Sequence, residues 1–193
     1  MRAFFAVDLP DDLADPIADA QEMFEGPEGL RFVDPQQAHV TLKFLGEVDE
    51  SDTQDDTTPS LDDVIAAGER AVADADIDRF ECAIEGLGVF PDLDYISVVW
   101  AGVDEGTAAL TALHEALERE TTALGVDAEE HAYTPHVTLA RMDDARGKDL
   151  VQRIVRERAP EFGRFTVEDV LLVESTLTPD GPEYETVATF PLD

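Results

Sequence analysis

A four-residue motif that occurs twice constrains the fold of this 193-residue chain more than any other feature. The letters HVTL stand at residues 39–42 and again at residues 136–139, which is 97 positions later (136 minus 39). Each copy lies in a segment typical of a β-strand, with a helical segment before it and another after it. The repeat therefore predicts two similar halves related by a pseudo-two-fold axis.

The alternation of side chains along a strand indicates where the two motifs point. Successive side chains of a strand face opposite sides, so the histidine and threonine of each copy share one face. The valine and leucine share the other face, which belongs in the core. The pairs His39 with Thr41 and His136 with Thr138 are therefore predicted to face a cleft.

Two histidines on either side of a cleft can act as a general acid and a general base near neutral pH. The threonine hydroxyls can donate hydrogen bonds to an anion held between the imidazoles. This set of groups suits hydrolysis of a 2′,3′-cyclic phosphate, in which one oxygen is deprotonated and another leaves protonated. The two motifs are too alike to indicate which histidine is the acid.

No metal or other cofactor is expected for this chemistry. A metal site built from His39, His136 and His131 is disfavoured, because the threonine two residues after each motif histidine is not a usual ligand. No carboxylate repeats with the motif either.

Strand-like and helix-like segments alternate along the whole chain, as in α+β or α/β proteins. The predicted strands cover residues 2–9, 38–48, 79–87, 96–103, 135–142, 165–177 and 184–192, and the predicted helices cover 11–24, 61–72, 107–124 and 148–158. Ser60 is the predicted N-cap of the second helix. Residues 50–59 contain no hydrophobic side chain and predict a solvated loop.

With these motifs the chain resembles the two-histidine phosphoesterase superfamily, defined by paired H-x-[ST]-hydrophobic motifs. Within that superfamily it is similar to the LigT-like RNA 2′,3′-cyclic phosphodiesterases, formerly named 2′-5′ RNA ligases. The resemblance covers nearly all of residues 1–193 as one domain, and its segments are MRAFFAVDLP, RFVDPQQAHVTLKFLGEV, GLGVFP, SVVWAGV, YTPHVTLAR and ESTLTPDGPEYETVATFPL.

The resemblance implies an α+β fold with two pseudo-symmetric lobes, each an antiparallel sheet with outer helices, flanking a central cleft. It implies that His39 is the general acid and His136 the general base, and that Thr41 and Thr138 bind phosphate oxygens. The expected partners are RNA ends or nucleotides that carry a 2′,3′-cyclic phosphate. The chain departs from its relatives at Ser97, where arginine is frequent, and this change removes one phosphate contact.

Three further residues near the motifs are candidate substrate contacts. Lys43 shares the face of His39 in a regular strand, and Tyr133 could stack on a base. Arg141 falls on the face opposite to His136 unless the strand end twists, so a salt bridge to a carboxylate is an equal expectation. His114 lies among the leucines of a predicted helix and is expected to be structural.

Two other functions remain open. Ligation of a 2′,3′-cyclic end to a 5′-hydroxyl is the same chemistry in reverse, and a two-lobed module could bind a nucleotide without turnover. A single cysteine excludes an internal disulfide. No apolar run reaches the roughly 18 residues that span a bilayer, and the N-terminus does not look like a signal peptide. A cytoplasmic monomer that does not bind membranes is expected.

The chain is strongly acidic, with 13 Lys+Arg against 45 Asp+Glu and a net charge of −32. Only two of the basic residues are lysines, Lys43 and Lys148. This composition resembles that of cytoplasmic proteins from salt-loving archaea. Molar salt shortens the Debye length to about 3 Å, so the charge does not exclude an anionic substrate in such a cell.

We predict that raising KCl from tens of millimolar to molar increases both the melting temperature and the initial rate on a cyclic-phosphate RNA. Salt screens the repulsion between carboxylates and between the acidic protein and RNA. The expected gain with salt is opposite in sign to the usual loss of nucleic-acid affinity as salt rises. Thermal melts and initial rates across a KCl series test this. Maximal stability and rate at the lowest salt would contradict the salt-adapted interpretation.

Overall fold

A computed structural model describes residues 1–50 and 58–193. In those residues the chain forms β1 (Arg2–Asp8), α1 (Ala14–Glu22), β2 (Leu30–Phe32), β3 (His39–Glu47), α2 (Leu61–Ala75), β4 (Phe80–Pro91), β5 (Ile96–Glu105), α3 (Thr107–Thr122), β6 (His136–Met142), α4 (Lys148–Glu157), β7 (Glu161–Val167), β8 (Asp169–Thr178) and β9 (Gly181–Pro191). Residues 51–57, inside the predicted loop, lie outside the described residues.

Most predicted helices and strands are confirmed to within a few residues, with two exceptions. The three-residue strand β2 was not predicted, because so short a segment carries no periodic pattern. The single strand predicted over residues 165–177 is in fact two strands, β7 and β8, which are separated at Glu168. Glu168 and Asp169 stand at this break, between two segments rich in β-branched and apolar residues, and no glycine or proline marks it.

The strands form one antiparallel sheet in the order β7-β4-β5-β6-β3-β1-β8-β9, with β2 paired to β6. The sheet is strongly curled, like half of a barrel. The two motif strands β3 and β6 are neighbours at its centre, where Val40 pairs with Val137. In the strand order four strands lie on each side of this contact, and β2 is an additional strand beside β6. The predicted α+β fold with two similar halves is therefore confirmed, with the halves joined in one sheet.

The helices cover the convex side of the two halves. Helices α2 and α3 pack against each other and against β3, β8 and β9, whereas α1 and α4 pack against β4, β6 and β7. Helix α2 begins where predicted, since the Ser60 hydroxyl accepts a hydrogen bond from the Asp63 backbone N–H at 3.2 Å. Gly68 lets this helix approach the sheet closely, because a Cβ there would lie 2.7 Å from the Phe190 ring.

A β-bulge interrupts β3 at the leucine of its motif. Consecutive residues of β1 pair with Thr41 and Lys43, so Leu42 is an extra residue between them. The bulge shifts the alternation by one position, and Lys43 turns into the core with 1% of its surface exposed. The prediction that Lys43 shares the face of His39 is therefore wrong. Phe44 takes the position on the cleft face, where it pairs with Phe4.

The same bulge recurs in β6. Consecutive residues of β5, Val99 and Trp100, pair with Ala140 and Thr138, so Leu139 is the extra residue. After it Arg141 pairs with Val98, which shares a face of β5 with Trp100. Arg141 is thus exposed on the same face as Thr138, and not on the opposite face that a regular strand would give.

The buried ammonium of Lys43 is held by groups at the end of α3 and in the following loop. Its Nζ donates to the Asp127 carbonyl at 2.8 Å and lies 2.7 Å from Glu118 Oε2 and 3.8 Å from Glu129 Oε1. Burial alone would raise the pKa of Glu118, but the hydrogen bond and charge of Lys43 hold it below its usual range. This lysine is therefore part of the core of the first half.

We predict that Lys43→Met lowers the free energy of unfolding by about 2 kcal/mol at pH 7, because the partly buried Glu118 loses its partner. The difference from wild type should shrink as the pH falls toward that of Glu118 protonation, since a depressed carboxyl pKa stabilises the fold only while the group is ionised. Urea unfolding in constant molar KCl at pH 7 and pH 4 measures both effects. Lys148→Met removes the other lysine and serves as the control. Equal stability of Lys43→Met and Lys148→Met would contradict the prediction.

Candidate active site

The His39 side chain is oriented by its own backbone and by aromatic rings. Its Nδ1 lies 2.9 Å from the Gln37 carbonyl, which can only accept, so Nδ1 carries a proton and Nε2 remains for proton transfer. The imidazole stacks on Phe4 with ring centres 4.9 Å apart and meets the edge of Tyr184 at 5.2 Å. These contacts fix the ring plane on the cleft face of β3.

His136 has the same arrangement in the other half. Its Nδ1 donates to the Thr134 carbonyl at 2.7 Å, again two residues before the histidine. Phe90 packs edge-on at 4.7 Å and Trp100 lies at 6.0 Å. The two halves therefore present two imidazoles of the same tautomer, each between aromatic rings and each with Nε2 left for chemistry.

The electrostatics of the site connect the groups from both motifs. Burial lowers the pKa of His136, the hydrogen bond to Thr134 raises it, and the charges of His39 and Arg141 lower it further. Burial likewise lowers the pKa of His39, and Arg141 adds to that effect. Thr41 and Thr138 are half-buried on the same faces. The structure thus brings five of the predicted site residues together, namely His39, Thr41, His136, Thr138 and Arg141.

One carboxylate breaks the symmetry between the two histidines. Asp8 is the register partner of His39 in the β1–β3 pair, whereas Gly102 is the partner of His136. The charge of Asp8 raises the pKa of His39, and burial raises the pKa of Asp8 itself. Burial lowers the pKa of both histidines, and the charge of Asp8 opposes that effect at His39 alone.

A pocket of about 120 Å³ opens beside His39. It is lined by Phe4, Asp8, Gln36, Gln37, His39, Val173, Tyr184 and Thr186. A larger groove of about 330 Å³ lies between α2 and the end of β9, and its lining includes none of the predicted site residues. The smaller pocket is lined by one of the two motif histidines, His39, together with Asp8 and Tyr184.

Tyr133 lies on the core side of β3 and does not face the cleft. Its hydroxyl donates to the Thr41 carbonyl at 2.9 Å, and its ring stacks on His114 with centres 4.1 Å apart. The prediction that Tyr133 stacks on a substrate base is therefore wrong, because the loop before β6 passes beneath β3. The structural role predicted for His114 is confirmed by its burial, and His131 is exposed in that loop.

Sequence reasoning missed Asp8, Phe4, Phe44 and Tyr184. The first two share the cleft face of β1 with Ala6, and the period-2 pattern of FFAVD places them on one face. Whether these residues lie beside His39 depends on how β1 pairs with β3, and the sequence does not determine that register. Within residues 1–50 and 58–193, no group of three or more His, Cys, Asp or Glu side chains is arranged to hold a metal, and no helix has the length and apolar character needed to cross a membrane.

Comparison with known proteins agrees with this geometry. A family model described as the 2′-5′ RNA ligase superfamily matches residues 9–178. An RNA 2′,3′-cyclic phosphodiesterase of Methanocaldococcus jannaschii is 32% identical over 97% of this chain and 98% of its own length. An RNA 2′,3′-cyclic phosphodiesterase of Methanothermobacter thermautotrophicus is 34% identical over 100% of this chain and 99% of its own length.

Solved structures show the same fold. A crystal structure of a Thermus thermophilus protein superposes with a TM-score of 0.76 at 30% identity, covering 100% of this chain and 98% of that one. Escherichia coli LigT complexed with NADP+ superposes with a TM-score of 0.73 at 25% identity, covering 99% of this chain and 96% of LigT.

We predict that Asp8→Asn lowers the pKa of His39 and changes that of His136 less, because only His39 has the carboxylate as its register partner. Titration of the imidazole signals by NMR in constant molar KCl measures both values. Glu183→Gln is the matched control, since it removes one negative charge from β9 beside Tyr184, on the opposite face of that strand. Equal changes at both histidines, or the same change in the control, would contradict a local role for Asp8.

Proposed function

The chain belongs to the 2′-5′ RNA ligase superfamily, and on that basis we propose that it hydrolyses 2′,3′-cyclic phosphates at RNA ends to 2′-phosphomonoesters without a metal ion. The observation that carries the proposal is the pair of imidazoles, each with Nδ1 bonded to the carbonyl two residues earlier and Nε2 left free. The names of the curated relatives support the substrate class.

The proposed reaction is a displacement at phosphorus. His136 Nε2 accepts a proton from water as the water oxygen bonds to phosphorus, and the bond from phosphorus to O3′ breaks. His39 Nε2 donates its proton to the departing O3′, which leaves a 3′-hydroxyl and a 2′-phosphate. Proton exchange with solvent then restores both imidazoles.

Three groups stabilise the charge that develops on the phosphate oxygens. The hydroxyls of Thr41 and Thr138 donate hydrogen bonds to the non-bridging oxygens, and Arg141 supplies a positive charge on the same face. What supports the role of Arg141 is its electrostatic effect on both histidines. In a chain with a net charge of −32, this arginine gives the cleft a local attraction for phosphate.

Asp8 supports the assignment of His39 as the acid. A general acid must be protonated before the reaction, and a neighbouring carboxylate favours the imidazolium. Burial lowers the pKa of His136, and the charges of His39 and Arg141 lower it further. Its register partner is Gly102 and not a carboxylate, which favours the neutral base.

Exposed aromatic rings beside His39 suit a nucleobase. Phe44 is 57% exposed and lies 6.0 Å from Phe4, and Tyr184 is 36% exposed at 5.4 Å from the same ring. Stacking on such rings binds single-stranded bases with little sequence preference. This arrangement supports an unpaired RNA end as the substrate.

Ligation is the second candidate, and the family description favours it. The 5′-hydroxyl of another RNA can take the place of water as the nucleophile. Its oxygen bonds to phosphorus while its proton passes to His136 Nε2, and O3′ leaves with the proton of His39, which gives a 2′-5′ phosphodiester. The assay therefore includes an RNA with a free 5′-hydroxyl, and the products are separated by size.

We predict that His39→Ala and His136→Ala each lower turnover of a short 2′,3′-cyclic RNA by about 10²–10⁴-fold. Thr41→Ala and Thr138→Ala should each cost about 10²–10³-fold, as for the loss of one oxyanion donor. Initial rates are measured in molar KCl with a chelator present. His131→Ala is the control, because this histidine is exposed in a loop, and it should retain the wild-type rate.

Near wild-type rates in folded His39→Ala and His136→Ala would overturn the acid–base pair. Tight binding of the RNA by wild type without any turnover would instead support the binding-module alternative. Activity that disappears with the chelator and returns only with a divalent ion would overturn the metal-independent mechanism.

A further inference from the structure

The two bulged leucines are each held by a buried side chain from a helix. His114 on α3 lies with Nδ1 2.7 Å from the Leu42 carbonyl, so Nδ1 is the donor. Gln21 on α1 donates from Nε2 to the Leu139 carbonyl at 3.0 Å and to the Val33 carbonyl at 2.8 Å. In both halves, a helix side chain therefore donates a hydrogen bond to the carbonyl oxygen of the motif leucine.

Three of the four buried polar side chains in the described residues lie at or next to the bulges. Within residues 1–50 and 58–193 the buried polar or charged residues are Gln21, Lys43, His114 and Thr121. Thr121 bonds to the Leu117 carbonyl in its own helix, whereas the other three act at or next to a bulge. Burying a polar group is costly unless it is hydrogen-bonded, so polar side chains are unusual in such positions.

The residue types show that these contacts are not copies of one repeated motif. The strands share HVTL, but one leucine carbonyl is bound by an imidazole and the other by an amide, on different helices. Both donors are 7% exposed. The feature common to both halves is therefore the hydrogen bond to the bulge itself.

The bulges decide which side chains enter the cleft. A bulge adds an unpaired residue and re-aims the side chains that follow it. In β6 the extra Leu139 puts Thr138 and Arg141 on one face, and loss of the bulge would turn Arg141 towards the core. In β3 the extra Leu42 places Lys43 in the core, two positions after Thr41.

We propose that Gln21 and His114 are positioning residues that hold the two bulges in register. Gln21 thereby sets where Thr138 and Arg141 meet the phosphate, and His114 sets where Thr41 meets it. The proposal rests on the function proposed above for the same cleft. Neither residue touches the cleft face, and each acts through the backbone of a motif strand. A displacement of about 1 Å in an active site can cost 10²-fold in rate, so such support matters to turnover.

Gln21→Met and His114→Phe remove the donors while retaining much of the volume. Each should lower kcat by about 10- to 10²-fold at temperatures where melting curves show the variant folded. His114→Asn keeps an amide N–H near the position of Nδ1 and should recover part of the loss. An equal loss in His114→Asn and His114→Phe would overturn the role of this hydrogen bond.

Double variants separate positioning from general destabilisation. Gln21→Met should be non-additive with Arg141→Ala, and His114→Phe with Thr41→Ala, because the members of each pair act through one bulge. The crossed pairs, Gln21→Met with Thr41→Ala and His114→Phe with Arg141→Ala, should multiply. Non-additivity of the same size in all four pairs would overturn the proposal.

Amide hydrogen exchange measured by NMR tests the bulges without any substrate. His114→Phe should speed exchange at residues 41–44, and Gln21→Met at residues 138–141, each more than in the other half. This pattern would support the positioning role even if the wild-type protein turned over no cyclic phosphate, an outcome that contradicts only the proposed function. Unchanged exchange at both bulges would overturn the positioning role.

Discussion

The extra residue at the motif leucine of each strand is the constraint on which the cleft depends. In a regular strand, Lys43 would lie on the same face as His39 and Thr41, because side chains alternate between the two faces. The bulges at Leu42 and Leu139 instead bury two successive side chains, and the next residue, Phe44 or Arg141, returns to the cleft. The third cleft residue is therefore Phe44 or Arg141 in place of Lys43 or Ala140, and Lys43 becomes available to the core.

The repeated geometry supplies two equivalent imidazoles, but acid–base chemistry needs them to differ. Both histidines use the same Nδ1 contact, to the carbonyl two residues earlier, and both pack between aromatic rings. The difference comes from their surroundings, where Asp8 faces His39 and Gly102 faces His136. A symmetric backbone with an asymmetric charge is therefore the basis on which one residue type would take the two proposed roles.

Much of this molecule was predictable from local pattern. Period-2 alternation correctly predicted the faces of both His–Thr pairs, and the cap at Ser60 and the apolar stripe after it predicted α2. The predictions failed for Lys43 and Tyr133, because a bulge and a loop passing beneath β3 depend on distant partners. Pairing register is non-local too, so Asp8 could not be matched to His39 from the sequence. The break between β7 and β8 was not predicted because it also depends on distant partners. Strand β7 pairs with β4 in one half and β8 pairs with β1 in the other.

A crystal structure with vanadate and a nucleoside would show whether both imidazoles act on one phosphate, because vanadate adopts the five-coordinate geometry of the displacement. We expect an anion between the motif strands, with Nε2 of His39 and Nε2 of His136 hydrogen-bonded to apical oxygens on opposite sides. The hydroxyls of Thr41 and Thr138 should contact the equatorial oxygens. An anion bound to one imidazole alone, or bound only in the groove between α2 and β9, would contradict this expectation.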